Sequence, residues 1–494
     1  MNLKQLVHLI TLEYKSMKFL KYTLILILFI HFGCSKDKDD SLIELSDDLE
    51  ISDFIWKGLN DFYYWQADVP NLADSMVENQ NMYTQFISQN SNPESFFDLL
   101  LYSGDRYSWI VDDYVALENS LQGIVASNGL EFGLTRQCSG CEELVAYIKY
   151  VHPESDASAK NILRGDFFTV VNGFNLTVSN YRELLFSDEM TYTISLSTFD
   201  NGSFSPTGRD ITLTKEENFE KNPVHIFKTI ESGSNKIGYL MYNQFVSNYD
   251  DELNDVFANF KSENISDLVL DLRYNRGGSI SNCIVLSSLI TGQFTGEVFS
   301  KQNWNTKLNE YWYERDPESL IDYFVGSLSN GMALNSINME RLYVLTTSES
   351  ASASELLING LASHIEVIQI GDTTTGKNVG SITIYDYIDN DGNKNPNHKY
   401  AMQPIVLAIA NSAGFSDYTD GLNPDYTLKE SVSQLGVLGS PGEPLFSTTI
   451  NLINGNGRLA FIQDNLIENR IVDPEMEKEQ RLFLEIPDFK IIEK

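Results

Sequence analysis

The period of the apolar positions changes along the chain, and the changes divide it. DFIWKGLNDFYYWQ sets Phe54, Ile55, Leu59, Phe62 and Tyr63 three and four residues apart, the spacing of one helix face. Asn92-Pro93-Glu94-Ser95 then supplies a cap and a proline at a helix start, ahead of Phe96, Phe97, Leu99 and Leu100. Residues 47–118 are therefore expected to form an aromatic-rich helical domain. Residues 119–218 read as β-rich with one short helix. Beyond 222 the strands become continuous apolar runs, at Lys236–Leu240, Leu268–Arg273, Leu342–Thr347 and Val367–Ile370. Such runs, with helical segments between them, predict an α/β core with a parallel sheet over 222–428. The expected class is α+β and multidomain. Residues 429–494 are mixed and acidic, and no role is read for them.

One stretch carries the chemistry, RLYVLTTSESASASELLINGLASHIEVIQIGDTTTGK, from Arg341 to Lys377. A buried strand leads into small residues, Ser348 to Ser354. An amphipathic pattern then starts at Glu355, with Leu356, Leu357, Leu361 and Ile365 at helical spacing. A second strand ends at Gly371, and a Gly- and Thr-rich loop leads to Lys377. In a parallel sheet both strand ends lie at one edge, so a serine hydroxyl and the lysine amine can meet there. A serine needs a base to become a nucleophile. Model lysine has a pKa of about 10.4, so roughly one in 2,500 is neutral at pH 7. Half-neutral lysine needs a shift of about 3 units, about 4 kcal/mol, which burial can supply. The helix start adds unpaired N–H groups that favour an oxyanion. A Ser/Ala-rich helix cap with an unrelated surface lysine is the competing reading.

SESASASE followed by GDTTTGK resembles the C-terminal processing peptidases, the tail-specific serine proteases. The resemblance implies a ClpP/crotonase-like catalytic core with Ser352 as nucleophile and Lys377 as base. DLRYNRGG, from Asp271 to Gly278, is similar to the family segment that supplies one oxyanion N–H. That implies an oxyanion hole of Ala353 with Gly277 or Gly278. Many family members carry a glutamine four residues after the lysine; here Ser381 stands there, and Glu355 is the other candidate for assistance. DRYSWI (105–110) resembles the family's lead into its PDZ domain. Gly129-Leu130-Glu131-Phe132-Gly133 resembles a PDZ carboxylate-binding loop, and Ser155–Gly173 resembles the later PDZ helix, strand and turn. The implied PDZ domain, 119–218, would hold substrate C-termini as an added strand. A shell that packs on the core and binds nothing is the alternative for it.

Met17 to Cys34 reads as a signal peptide ending in Gly33-Cys34, similar to the bacterial lipoprotein signal, with His31 where a leucine is usual. Cys34 is then the lipidation site and residues 35–46 a solvated tether. This implies an exported lipoprotein, periplasm-facing or on the cell surface, as in Bacteroidetes. The chain has 35 basic and 69 acidic residues, a formal charge of −34, which opposes a nucleic-acid role. Four cysteines make no disulfide framework, and Cys138-Ser-Gly-Cys141 is expected at a hairpin turn rather than at a zinc site. No cofactor or metal is implied. An inactive peptide- or ligand-binding surface lipoprotein of the same fold, or an esterase using the same dyad, are the alternatives to a peptidase.

Overall fold

The computed structural model describes residues 49–457, 470–471 and 481–484, apart from Ser91, Asn201 and Asn390. The proposed signal, tether and Cys34 lie outside the described residues.

The first helix, Glu50–Phe62, buries the face that the spacing picks out: Phe54, Ile55, Leu59 and Phe62. Pro93–Leu99 begins as its sequence suggests, with the Asn92 side chain accepting from the Ser95 N–H at 2.7 Å. These helices lead to a short strand, Trp109–Val111, which pairs with Ala401–Gln403 of the core.

A PDZ-like β unit follows. Its sheet runs Leu130–Arg136, Leu144–Val151, Phe167–Val171, Thr191–Asp200, Ser203–Thr214, each strand antiparallel to the next. Alternate residues point inward and build a core that includes Leu134, Leu144, Ile148, Phe168 and Ile194. The turn between the first two strands is closed by a Cys138–Cys141 disulfide.

The core sheet is Val224–Ser232, Asn235–Tyr242, Asp267–Asp271, Arg341–Thr346, Glu366–Gly371, Tyr426–Thr427, parallel after its first pair. Its central strands are buried on both faces, which accounts for their unbroken apolar runs. A second sheet holds Gly277–Ser279, Arg481–Phe483, Val379–Ser381, Ile405–Asn411, Val298–Trp304, Ile321–Tyr323. The helix after the serines spans Ala353–Ala362. It starts two residues before the expected Glu355, and Ile365 lies past its end.

Residues 429–457 pack against the core. Glu443 caps the helix Pro444–Ile453, accepting from the Phe446 N–H at 2.8 Å, and Leu445, Phe446 and Ile450 pack on the core sheet. Glu443 also holds Arg273, which is fully buried. The Arg273 guanidinium contacts Asp271, Glu430 and Glu443 at 2.7–2.8 Å. Arg164 of the PDZ-like unit reaches Glu430 at 2.6 Å and the Tyr274 hydroxyl at 2.7 Å. Burial alone would raise the Glu430 carboxyl, but Arg164 and Arg273 hold it below its ordinary 4.5. Its contribution is therefore complete above that value and is lost as pH falls through the lower folded one. Urea midpoints should drop between about pH 5 and 3. Glu430→Gln should flatten that limb and lower the neutral-pH stability by about 3 kcal/mol.

Candidate active site

Ser352 stands between the strand Arg341–Thr346 and its helix, as the N-cap, at φ 64° and ψ −113°. Non-glycine residues avoid this backbone region, and strain of that kind gathers where a side chain must be presented. The residue is fully buried, and its Oγ has no hydrogen-bond partner among the described residues. Ala353 is the first helical residue, so no intrahelical carbonyl accepts its N–H.

Glu355 ties the lysine loop to the serine. Its Oε2 accepts from the backbone N–H of Ser352 at 2.7 Å and of Lys377 at 2.8 Å. The two nitrogens are thus no further apart than those two lengths laid end to end. Oε1 accepts from the Thr374 hydroxyl at 2.5 Å and the Gly376 N–H at 2.6 Å. Burial raises the Glu355 carboxyl above its ordinary pKa, against the pull of these four bonds. Gly376 is obligatory here: its φ is +92°, and a Cβ would lie 2.2 Å from the Thr419 carbonyl oxygen.

Lys377 is buried, with Nζ 5.0 Å from the centre of the Tyr107 ring, a cation–π contact. Tyr107 belongs to the segment that joins the N-terminal helices to the core. Ser381 is buried, and its hydroxyl lies 2.8 Å from Oε1 of Gln403, so a glutamine does stand beside this position, from another strand.

Asn275 fixes the glycines against the serine turn. Its carbonyl accepts from the Ala351 N–H at 3.1 Å and the Ser354 hydroxyl at 2.9 Å. Its side-chain oxygen takes the Gly277 N–H at 2.8 Å. Of the two glycines expected at an oxyanion hole, Gly278 is therefore the one whose N–H Asn275 leaves untaken. It has φ +141°, and a Cβ would sit 2.1 Å from the Phe245 carbonyl oxygen.

The proposed PDZ loop has a different character. The Gly129 N–H donates to Ser127 Oγ at 3.0 Å and the Leu130 N–H to Asn128 Oδ1 at 3.1 Å. Glu131, Phe132 and Gly133 continue into the strand and pair with Tyr150, Ile148 and Tyr147. Beside them a cavity of about 340 Å³ opens between this unit and the core, lined in part by Glu131, Lys149, His152, Lys221, Arg276 and Glu349. Lys149, on the PDZ-like sheet, forms a buried pair with Glu349 of the SESASASE stretch at 2.6 Å, and Arg276 joins it at 2.7 Å.

The strand-to-helix change of period pointed to the serine cluster and the loop of Lys377, while the family resemblance alone singled out Ser352 and Ala353 and offered Glu355 as an assisting group. They missed Tyr107, Asn275 and Lys149, which arrive from far along the chain, and Thr374, which meets Glu355 only when its own loop folds back. The paired glycines Gly277-Gly278, just after it, were the available signal for Asn275.

Residues 236–414 match Peptidase family S41 and residues 50–109 the Peptidase S41 N-terminal domain. Over these residues the chain carries domains of family S41, that of the C-terminal processing serine peptidases. It is 27% identical over 325 residues to carboxyl-terminal-processing peptidase 2, chloroplastic, of Arabidopsis thaliana, across 64% of this chain and 56% of that protein. The chain thus spans little more than half the length of that relative. It is 22% identical over 374 residues to a carboxyl-terminal-processing protease of Picosynechococcus, across 75% of this chain and 80% of that one. An S41 protease from Bacteroides fragilis shares the fold, with a TM-score of 0.63 at 24% identity, covering 81% of this chain and 97% of that chain.

Proposed function

We propose that this chain is an exported serine endopeptidase working through a Ser352–Lys377 dyad. The single observation that carries this is the Glu355 carboxylate, one oxygen of which binds the backbone of both residues. Ser352 Oγ attacks the scissile carbonyl, and neutral Lys377 takes its proton and returns it to the leaving amine. The N–H groups of Ala353 and Gly278 receive the oxyanion. Glu355 is a positioning residue, holding the loop so that the amine faces the serine turn. The test is a fluorophosphonate label located by mass spectrometry, run beside casein and simple-ester assays. A label on Ser352 with casein cleavage supports the reading. Ester turnover without casein cleavage favours an esterase.

Substrate C-termini are proposed to dock at the PDZ-like unit, near Gly129–Gly133. The cavity lining sets Lys149, Lys215, Lys221 and Arg276 against two carboxylates, Glu131 and Glu349, which pair with three of them, and this basic excess supports an anionic end there, in a chain otherwise strongly acidic. Amidating a substrate's terminal carboxylate should then raise KM several-fold and leave kcat alone. An unchanged KM removes the docking role. Export and anchoring through Cys34 remain part of this proposal. Cys34→Ser should abolish incorporation of labelled fatty acid and release the chain from membranes.

A further inference from the structure

Gly277–Ser279 and Val379–Ser381 lie one strand apart, and residues 481–483 of this same chain fill the gap. The filling strand is parallel to both. Arg481, Leu482 and Phe483 stand opposite Gly277, Gly278 and Ser279, and Phe483 also stands opposite Ser381. The Leu484 N–H donates to the Ser381 carbonyl at 3.1 Å. The Gly277 carbonyl accepts from Phe245 at 3.0 Å, and the Ser279 N–H donates to Phe245 at 2.9 Å. Alternate residues of a strand face alternate neighbours. Gly278, whose N–H Asn275 leaves untaken, therefore turns its polar groups toward the filling strand. Further up the same segment, Arg470 and Ile471 pair antiparallel with Thr135 and Leu134, on the outer edge of the PDZ-like sheet. An extended peptide adds to an open sheet edge in the same manner, as one more strand.

The segment thus lies on two strand edges at once, one beside the oxyanion glycines and one on the peptide-binding unit. Ser352 and Lys377 are closed off from solvent, at 0% and 2% exposure. The filling strand is only three residues long and is held by a short backbone ladder. Backbone ladders accept many sequences, which is what a slot for varied polypeptides needs.

We propose that the gap between Gly277–Ser279 and Val379–Ser381 is the substrate slot, that it takes extended polypeptide in parallel register, and that residues 481–484 cap it in cis. This rests on the peptidase reading above. Substrate enters by displacing the chain's own strand, so the full chain is self-capped until that strand lets go.

The experiment uses the full chain and its Phe483→Asp and Leu484→Pro variants. Phe483 is buried, and Leu484 donates the bond to Ser381, so each change weakens the cap. If capped molecules outnumber open ones tenfold, Ser352 labelling and kcat/KM should each rise about tenfold. A fluorescein-tagged peptide of residues 478–487, KEQRLFLEIP, should bind the Phe483→Asp variant about tenfold more tightly than the unaltered chain, and a scrambled peptide should bind neither. Equal labelling rates in folded variants, or no preference for the tagged peptide, overturn the cap while leaving the peptidase reading intact. Failure of Ser352 to label in any form overturns the peptidase reading, and peptide binding then still decides what fills the slot. Should both variants unfold, competition by KEQRLFLEIP against casein cleavage by the unaltered chain decides: raised KM supports the slot and unchanged KM refutes it.

Discussion

Ser352→Ala should lower peptide-bond cleavage by on the order of 10⁴-fold or more while the fold holds. Its Oγ makes no hydrogen bond among the described residues, so deleting it removes no hydrogen bond seen there. A buried unpaired hydroxyl is itself unfavourable by about 1–3 kcal/mol, so Tm should stay level or rise slightly. Lys377→Ala should cost activity on the same scale, with a small loss of stability from the Tyr107 ring contact, about 0.5–2 kcal/mol. Lys377→Arg separates base from charge. A guanidinium keeps its proton, so arginine restores the charge without the base and should not restore cleavage. Full cleavage by either alanine variant sinks the dyad.

Glu355→Ala carries the second large effect, and it falls on folding as well as rate. Three backbone N–H groups and the Thr374 hydroxyl would lose their acceptor inside the protein. Each buried donor left unmade is unfavourable by about 1–3 kcal/mol, offset by relief of the buried carboxylate. A net loss of about 3 kcal/mol is expected, read as a lower urea midpoint. The lysine loop would also be released from the serine turn, with a fall in kcat of about 100-fold at little change in KM. Glu355→Gln is the sharper probe. Its amide oxygen can replace Oε2, but its NH₂ then faces the Gly376 N–H, donor against donor. Glutamine should therefore rescue stability in part and kcat poorly. Equal kcat for Glu355→Gln and the native chain would remove the positioning role.

Much of this arrangement is legible in the chain because local pattern and fold agree. The strands Asp267–Asp271 and Arg341–Thr346 are buried on both faces and so read as unbroken apolar runs. Glu355 was visible as an assisting group, but not as a four-bond acceptor, because Thr374 and Gly376 reach it only once the loop folds back. Tyr107 and Lys149 approach the site across hundreds of residues, and no periodicity encodes that. Arg481–Phe483 was illegible for another reason. Three residues among charged neighbours make no strand signal, and only the two flanking edges give them a conformation.

The Arg273 cluster bears on how such a chain can change over generations. Its guanidinium serves three carboxylates, one of which also begins a helix and another of which holds the PDZ-like unit through Arg164. Losing any one partner strands the others away from water, so single replacements are punished while a concerted exchange for apolar side chains is tolerated. Divergence at Asp271, Arg273, Glu430 and Glu443 must therefore come in company, and these four positions should vary together or not at all.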